Sequence, residues 1–354
     1  MDLQLKKFSE IDLNDSFFDS LKNSYPEFND WFKKKSDAGA VAYTYYIGNK
    51  LKDFLYLKVE EEELTDIKPP LPKKRRLKVG TFKVDNKDRH TTRGERFMKK
   101  IMDMAIVENV DEVYVTMFQT DSLRNLYNMF KQYGFTNIAN KPHEGKDSEC
   151  VLIKDMRAIS NNIYKDYPFV RKQGDKYVLA IKPMYHTRLF PDSILTNETK
   201  YDLIQDVSET NSIYKIYLCW MQGVKVLKKG DKLVMYRTTD EKGSATYRSV
   251  CTSVCTVCEI KHFSDFSDIN DFLKYTNRYS VFSEADLRKW YKIRPDFNVI
   301  KMLYNIAFTK KVINKVMKEQ LGLNPEYWGF FKLEDAQFDA LLKLGGIDER
   351  YIVD

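Results

Sequence analysis

The sequence predicts an α+β protein in two parts, a mixed central sheet flanked by helices followed by a small β-barrel with helices. Residues 77–135 contain an extended run, a polar turn, an amphipathic helix, a strand and a second helix, which is the order of a βαβ unit. A chain of 354 residues is also long for one hydrophobic core. After residue 176, many short strands alternate with small helices, as in a compact barrel.

We therefore expect a first domain at residues 1–155, a polar linker at 156–175 that contains Pro168, and a second domain at 176–354. A hydrophobic content of 43% with 14% aromatic residues excludes a disordered chain. The net charge is +7, and residues 1–155 hold 27 Lys and Arg against 26 Asp and Glu, so a net +6 lies beyond residue 155. A basic excess in one domain fits contact with a polyanion and is also common on ordinary surfaces.

The pattern contains neither a secretory segment nor an apolar run long enough to cross a membrane. Five cysteines without a framework spacing indicate a reducing compartment, and we expect a cytoplasmic protein with no metal site. Cys251, Cys255 and Cys258 have the letter spacing of an iron–sulfur site. Their segment alternates as a strand does, which favours structural thiols.

In chain order, residues 1–35 predict a short strand and then helices with an aromatic stripe, which indicates core packing and can also line a ligand groove. Residues 40–46 and 51–60 predict a hairpin around Gly48. Residues 60–63 are acidic, whereas the proline-containing run 68–78 is basic and predicts an extended loop, either solvated or touching a polyanion. Residues 148–155 predict the last strand of the first domain.

The turn inside the βαβ unit carries Arg89, His90, Arg93 and Arg96, with Gly94 at the start of the helix. Backbone amides and the helix dipole favour an anion at such a position, and glycine permits close approach. The same residues also describe an ordinary solvated helix start. The turn is therefore a candidate phosphate site.

This region resembles the GNAT superfamily of N-acetyltransferases, whose pattern [Q/R]-x-x-G-x-[G/A] overlays residues 93–98. Arg96 and Met98 replace the two signature glycines, and Phe130 takes the place of the usual tyrosine acid. The resemblance covers about the first 155 residues and implies acetyl-CoA as co-substrate. It implies cofactor contacts at Phe82, Lys83, Val84, Arg89, Arg93, Gly94, Glu95, Arg96, Phe97 and Met98.

An amine that attacks a thioester needs a base and, for the leaving thiolate, an acid. Glu60 and Asp85 are candidate bases at strand ends, and a water relay is equally compatible. Tyr127 is the candidate acid because it lies one helical turn before Phe130.

The second domain predicts strands at 177–183, 212–221, 231–237, 246–260 and 298–308, and helices at 184–190, 269–275, 283–291 and 334–344. Residues 180–183 and the segment 229–237 resemble the opening and the G-D strand of PUA-like ASCH and EVE modules. The resemblance implies a pocket that reads RNA or a modified base, with Lys182, His186, Trp220 and Arg237 as candidate liners. Packing of the barrel explains each of these residues equally well.

Two functions remain open on the sequence. One is an acetyl-CoA-dependent N-acetyltransferase whose second domain presents the acceptor, an RNA or an RNA-linked amine, or else recruits a protein partner. The other is a nucleic-acid-binding protein whose first domain is an inactive scaffold. The oligomeric state is not predicted.

Overall fold

The computed structural model describes residues 3–85, 92–190, 212–293 and 296–354. The chain divides into two compact units, Met1–Asp166 and Tyr167–Asp354. Each unit combines a sheet with helices, so the predicted α+β class is confirmed. Within these ranges, every helix is too short or too polar to span a bilayer.

Over its described residues, the first unit contains seven strands and four α-helices. The strands are β1 (Gln4–Lys7), β2 (Val41–Ile47), β3 (Lys50–Leu64), β4 (Leu71–Val84), β5 (Glu112–Met117), β6 (Thr136–His143) and β7 (Lys146–Asp155); the helices are α1 (Asp19–Ser24), α2 (Phe28–Asp37), α3 (Arg93–Val107) and α4 (Arg124–Gln132). The sheet order is β1-β2-β3-β4-β5-β7-β6, with β4 and β5 parallel and the other neighbours antiparallel. The predicted βαβ unit is therefore confirmed as β4-α3-β5.

The aromatic stripe near the N-terminus packs as predicted. Phe18 is fully buried, and its ring lies 5.3 Å from that of Phe54 on β3 and 5.7 Å from that of Phe28 on α2. Burying a phenylalanine side chain contributes roughly 1.5–3 kcal/mol, so this cluster holds α1 and α2 on one face of the sheet. The hairpin predicted around Gly48 is the connection between β2 and β3.

The basic run is not the predicted loop, because β4 already begins at Leu71. In the β3–β4 ladder, Arg75 lies opposite Glu61 with its Nη1 3.9 Å from Oε2, and Lys78 Nζ lies 3.9 Å from Oε1 of Glu60. Opposite charges across an antiparallel pair stabilise it by about 0.2–1 kcal/mol, so the two charged runs pair with each other. This pairing leaves less positive charge for the polyanion contact considered for this run.

In the part of the second unit that the structure describes, there are eight strands and six α-helices. The strands are β8 (Val170–Arg171), β9 (Lys176–Ile181), β10 (Tyr214–Cys219), β11 (Lys232–Arg237), β12 (Val250–His262), β13 (Asn298–Ile313), β14 (Phe330–Leu333) and β15 (Ile352–Val353); the helices are α5 (Pro183–Leu189), α6 (Ala245–Arg248), α7 (Ile269–Thr276), α8 (Glu284–Ile293), α9 (Asn314–Leu321) and α10 (Asp335–Leu344). β8 lies within the stretch predicted as a linker and pairs with β15.

The main sheet of the second unit has the order β10-β13-β12-β11-β9-β14. The sheet is curved, so that strands far apart in this order approach each other. Tyr217 Oη on β10 lies 3.5 Å from the carbonyl oxygen of Ala180 on β9. Three irregularities in the β12–β13 ladder accompany this curvature, as bulges do. One core of buried side chains from β9 to β13 fills the interior.

Two details of the second unit differ from or extend the prediction. Residues 246–248 form part of α6 rather than a strand, because the Ser244 side chain accepts a hydrogen bond from the Thr246 amide and starts a helical turn. Cys251, Cys255 and Cys258 do lie on β12 and are buried. Burial raises the pKa of Cys251 and of Cys255, which leaves both thiols protonated.

Candidate active site

The two parallel strands of the first unit pair at one end and separate at the other. The β4–β5 ladder runs from Arg76–Glu112 to Val79–Val115. Beyond it, β4 continues to Val84 beside β3, while β5 continues to Met117 beside β7. Alternate backbone groups of residues 80–84 point away from β3 and so face this gap. The gap can accept an extended ligand that hydrogen-bonds like an added strand.

A bulge in β4 marks the point where the strands separate. Tyr56 on β3 lies opposite Thr81 and Leu57 lies opposite Val79, so Gly80 is the extra residue. A Cβ atom at Gly80 would lie only 2.7 Å from Cδ1 of Tyr56. Glycine is therefore required for the Tyr56 ring to pack against the bulge. Because a bulge bends its strand, it accounts for the divergence of β4 from β5.

The first turn of α3 lies beside the end of β4. A Cβ atom on Gly94 would be 3.6 Å from Sδ of Met129 on α4 and 3.9 Å from the Phe82 ring on β4. Gly94 itself remains partly exposed. The first amide groups of any helix have no acceptor inside the helix, and the dipole favours an anion there. The helix start is therefore placed to meet an anion bound near the gap.

The arginines predicted to hold phosphate are used differently. Arg93 Nη1 lies 3.2 Å from Oδ1 of Asp53 on β3, and its guanidinium lies 5.3 Å from the centre of the Tyr45 ring. Arg96 is also buried. Burial raises the pKa of Asp53 to about 6, although Arg93 and Arg96 both oppose that shift. Arg89 and His90 lie outside the described residues.

Several other predicted cofactor residues have side chains that pack against the protein interior. Phe82 packs edge-on against Phe97 at 5.3 Å and Phe130 at 5.8 Å between ring centres. Met98 is fully buried and Glu95 is mostly buried. The side chains of Phe97 and Met98 therefore belong to the core, whereas Phe82 packs against Phe97 and Phe130 and remains partly exposed.

Lys83 and Val84 lie at the end of β4 next to the gap. The Lys83 ammonium donates to the carbonyl oxygen of Phe17 and to Oγ of Ser20, and it lies 4.7 Å from the centre of the Phe17 ring. Lys83 thus points to the face that carries α1. Val84 pairs with Asp53 through the β3–β4 ladder.

The two predicted bases are not brought together. Glu60 pairs with Arg76 in the ladder, whereas Asp85 follows the far end of β4 and lies 2.5 Å from the Lys52 ammonium. Burial alone would raise the pKa of Glu60, but hydrogen bonds from Lys58 and Tyr114 and the charge of Lys78 outweigh it and lower the pKa. Tyr127 is half-buried on α4. Glu60 is therefore ionised but weakly basic.

One polar cluster was missed. Tyr25 Oη donates to Oε1 of Glu149 at 2.7 Å, and His143 Nε2 lies 3.1 Å from Oε2 of the same carboxylate. Phe118 packs against both rings, at 5.6 Å from Tyr25 and 5.5 Å from His143. Tyr25 and Phe118 are far in the chain from the β6–β7 hairpin that carries His143 and Glu149, so no local spacing links the four residues.

In the second unit, three of the four predicted liners lie near one end of the sheet. Arg237 pairs with Ile181 across β11 and β9, and Lys182 follows at an exposed position. His186 is fully buried and lies 2.7 Å from Oγ1 of Thr252 through Nε2. Burial lowers its pKa to about 3, with help from Arg237 and Lys311, so this histidine is neutral. Because it is buried, His186 does not present its ring at the surface.

The fourth liner, Trp220, packs among aromatic rings just beyond β10. Its ring centre lies 5.4 Å from that of Trp290 and 6.0 Å from that of Phe297. Trp220 is therefore part of the edge of the core.

Comparison with known proteins gives structural similarities only. No family model matches the chain, and the search of curated proteins also found no match. A crystal structure of ASCH from Zymomonas mobilis is 10% identical and covers 48% of this chain and 94% of its own, with a TM-score of 0.33. A protein assigned to the GNAT family of acetyltransferases from Desulfovibrio desulfuricans is 8% identical and covers 44% and 99%, with a TM-score of 0.32.

A third similar structure is NAA60 of Arabidopsis thaliana in complex with a bisubstrate analogue. It is 12% identical and covers 43% of this chain and 98% of its own, with a TM-score of 0.31. Each of these structures spans about half of the chain. Similarity at this level says nothing of activity or ligand.

Proposed function

We propose that the first unit is an acetyl-CoA-dependent N-acetyltransferase, as its resemblance to GNAT proteins implies. The observation that carries this proposal is the separation of β4 from β5 after the Gly80 bulge, beside the start of α3. The gap offers strand-like hydrogen bonds to the pantetheine arm of acetyl-CoA. The helix start offers amides to the diphosphate at the partly exposed Gly94.

The residues around the gap supply what amine acylation requires. Backbone groups of residues 80–84 hold the arm and orient the thioester toward the face of α1 and α2. Tyr127 is the proposed donor of a proton to the leaving sulfur, and Glu60 and Asp85 are the sequence-based candidates for the base. A thiolate is already a fair leaving group, so burial of Phe130 in the usual tyrosine position does not prevent the reaction.

The second unit, in this proposal, presents the acceptor, an RNA or an RNA-linked amine. Its support is the placement of Lys182 and Arg237 at neighbouring strand ends of a curved sheet, together with its resemblance to ASCH and EVE modules. The alternative is a nucleic-acid-binding protein whose first unit is scaffold only.

Calorimetry with acetyl-CoA tests the proposal and separates it from that alternative. We expect one binding site per chain, with a dissociation constant in the range of about 1 µM–1 mM that enzyme substrates occupy. Pantetheine, which has no diphosphate, should bind more weakly because it lacks the contact with α3. No heat at millimolar acetyl-CoA, combined with binding of a labelled RNA, would leave only the nucleic-acid-binding function.

A further inference from the structure

We propose that His143 is the general base of the first unit and that Glu149 is its positioning residue. The inference rests on the proposed acetyl transfer and identifies a residue that carries out part of it. It is based on one group of contacts. The Glu149 carboxylate lies between Tyr25 Oη and His143 Nε2, and the His143 ring packs against Phe118.

The cluster lies at the separated end of β5. Phe118 directly follows Met117, the last residue of β5, and by then β5 has already left β4. Tyr114, Thr116 and Phe118 alternate along the chain and so share one face of the sheet. Tyr25 directly follows α1, and its ring packs against Phe118 on the same face. His143 is thus on the side of the gap that faces α1 and α2, across from the end of β4.

Hydrogen-bond chemistry assigns the tautomer of His143. An ionised carboxylate only accepts hydrogen bonds, so the ring nitrogen that faces Glu149 must carry the hydrogen. That nitrogen is Nε2, at 3.1 Å. The lone pair of a neutral His143 is therefore on Nδ1, and Glu149 stabilises the imidazolium that forms when Nδ1 takes a proton.

The exposed fractions of the two side chains suit a base and its positioning residue. The Glu149 side chain is 4% exposed, whereas that of His143 is 23% exposed. The carboxylate is shielded from solvent and held by two donors, and the imidazole remains accessible to a substrate. The other two candidates, Glu60 and Asp85, are occupied by lysine ammonium groups. His143 is therefore better suited to accept a proton from an incoming amine.

The step balances without a further reactant. The amine nitrogen bonds to the thioester carbonyl carbon while Nδ1 of His143 takes one proton from that nitrogen. The carbon–sulfur bond then breaks, its electron pair leaves with the sulfur, and the thiolate takes a proton from Tyr127 or from water. His143 returns its proton to solvent before the next turnover.

Nitrogen NMR of histidine-labelled full-length protein tests the pair without any acceptor. The chain has four histidines, so a His143→Gln variant assigns the signal. At alkaline pH, where imidazole is neutral, we expect hydrogen on Nε2 of His143 and none on Nδ1. The Glu149→Gln variant should shift the ring toward a mixture of tautomers. Hydrogen on Nδ1 in the native protein would overturn the proposal.

Acetyl transfer to two probes tests the base role. One probe is a short peptide with a free α-amino group, and the other is methoxyamine, which is uncharged at neutral pH and needs less help from a base. His143→Gln should lower kcat for the peptide by about 10²–10⁴-fold, leave KM nearly unchanged, and affect methoxyamine far less. A merely structural role would lower both rates alike.

The matched control is His262→Gln. His262 also binds a carboxylate through Nε2, that of Asp296 at 3.0 Å, but lies in the second unit, and its loss should leave transfer unchanged. Native kcat in His143→Gln, or an amine-selective loss in Glu60→Gln or Asp85→Asn instead, would overturn the base assignment. Failure of the native chain to bind acetyl-CoA would refute the proposed function itself, and the NMR result would still decide the tautomer.

Discussion

Replacing Gly94 with aspartate should weaken acetyl-CoA binding about 100-fold without unfolding the first unit. A carboxylate on the first turn of α3 would repel a diphosphate bound there, and we take their separation as about 5 Å. At an effective dielectric constant of about 20, that repulsion costs about 3 kcal/mol. The same carboxylate favours the helix, by about 0.3–1 kcal/mol, because it complements the dipole. Binding and stability should therefore change in opposite directions.

Gly94→Ala is the matched control for the aspartate variant. Its added Cβ meets Met129 Sδ at 3.6 Å, an ordinary contact, so affinity for acetyl-CoA should stay close to native. Calorimetry measures the affinity, and thermal unfolding followed by circular dichroism measures the stability. Equal affinity in the aspartate and alanine variants would show that the diphosphate is not at this helix start.

Replacing Arg76 with alanine should lower the free energy of unfolding of the first unit by about 3–5 kcal/mol, since it leaves Glu112 buried without its main partner. Arg76 is 1% exposed. Its Nε donates to Glu112 Oε2 at 2.8 Å, and its two terminal nitrogens donate to the carbonyl oxygens of Glu62 and Pro72. This side chain joins β3, β4 and β5 at the end where β4 and β5 still pair.

Hydrogen exchange followed by mass spectrometry measures this effect unit by unit. Amides of β4 and β5 should exchange faster in Arg76→Ala, while those of β12 in the second unit should not change. The control is Lys74→Ala. Lys74 binds the same Glu112 but its side chain is 40% exposed, so its loss should cost no more than about 1 kcal/mol. Equal effects of the two variants would contradict a structural role specific to the buried pair.

Local periodicity was enough to predict the βαβ unit. Residues 77–135 show strand and helix patterns, and the helix stop at Gly134 is real, with a φ of 90° that favours glycine. The basic run 68–78 belongs largely to β4, although its prolines indicate a loop when that segment is taken alone. The acidic partner that turns it into a strand lies on β3 and becomes visible only in the register.

The site itself depended on contacts between distant residues. Arg93 has the residue type of a phosphate ligand, but Asp53, forty positions earlier, takes its guanidinium. Gly80 was not singled out because its importance comes from the Tyr56 ring packed against it. The importance of His143 likewise comes from Glu149 and Tyr25, which only the fold places beside it. Sequence patterns record neighbours along the chain, whereas these sites are built from neighbours across the sheet.

A crystal structure of the full chain with acetyl-CoA tests the central claim most directly. We expect the pantetheine arm to lie between β4 and β5, hydrogen-bonded to the backbone of residues 80–84, with the diphosphate at the first amides of α3. An empty gap at saturating acetyl-CoA, or a ligand bound elsewhere on the first unit, would contradict it.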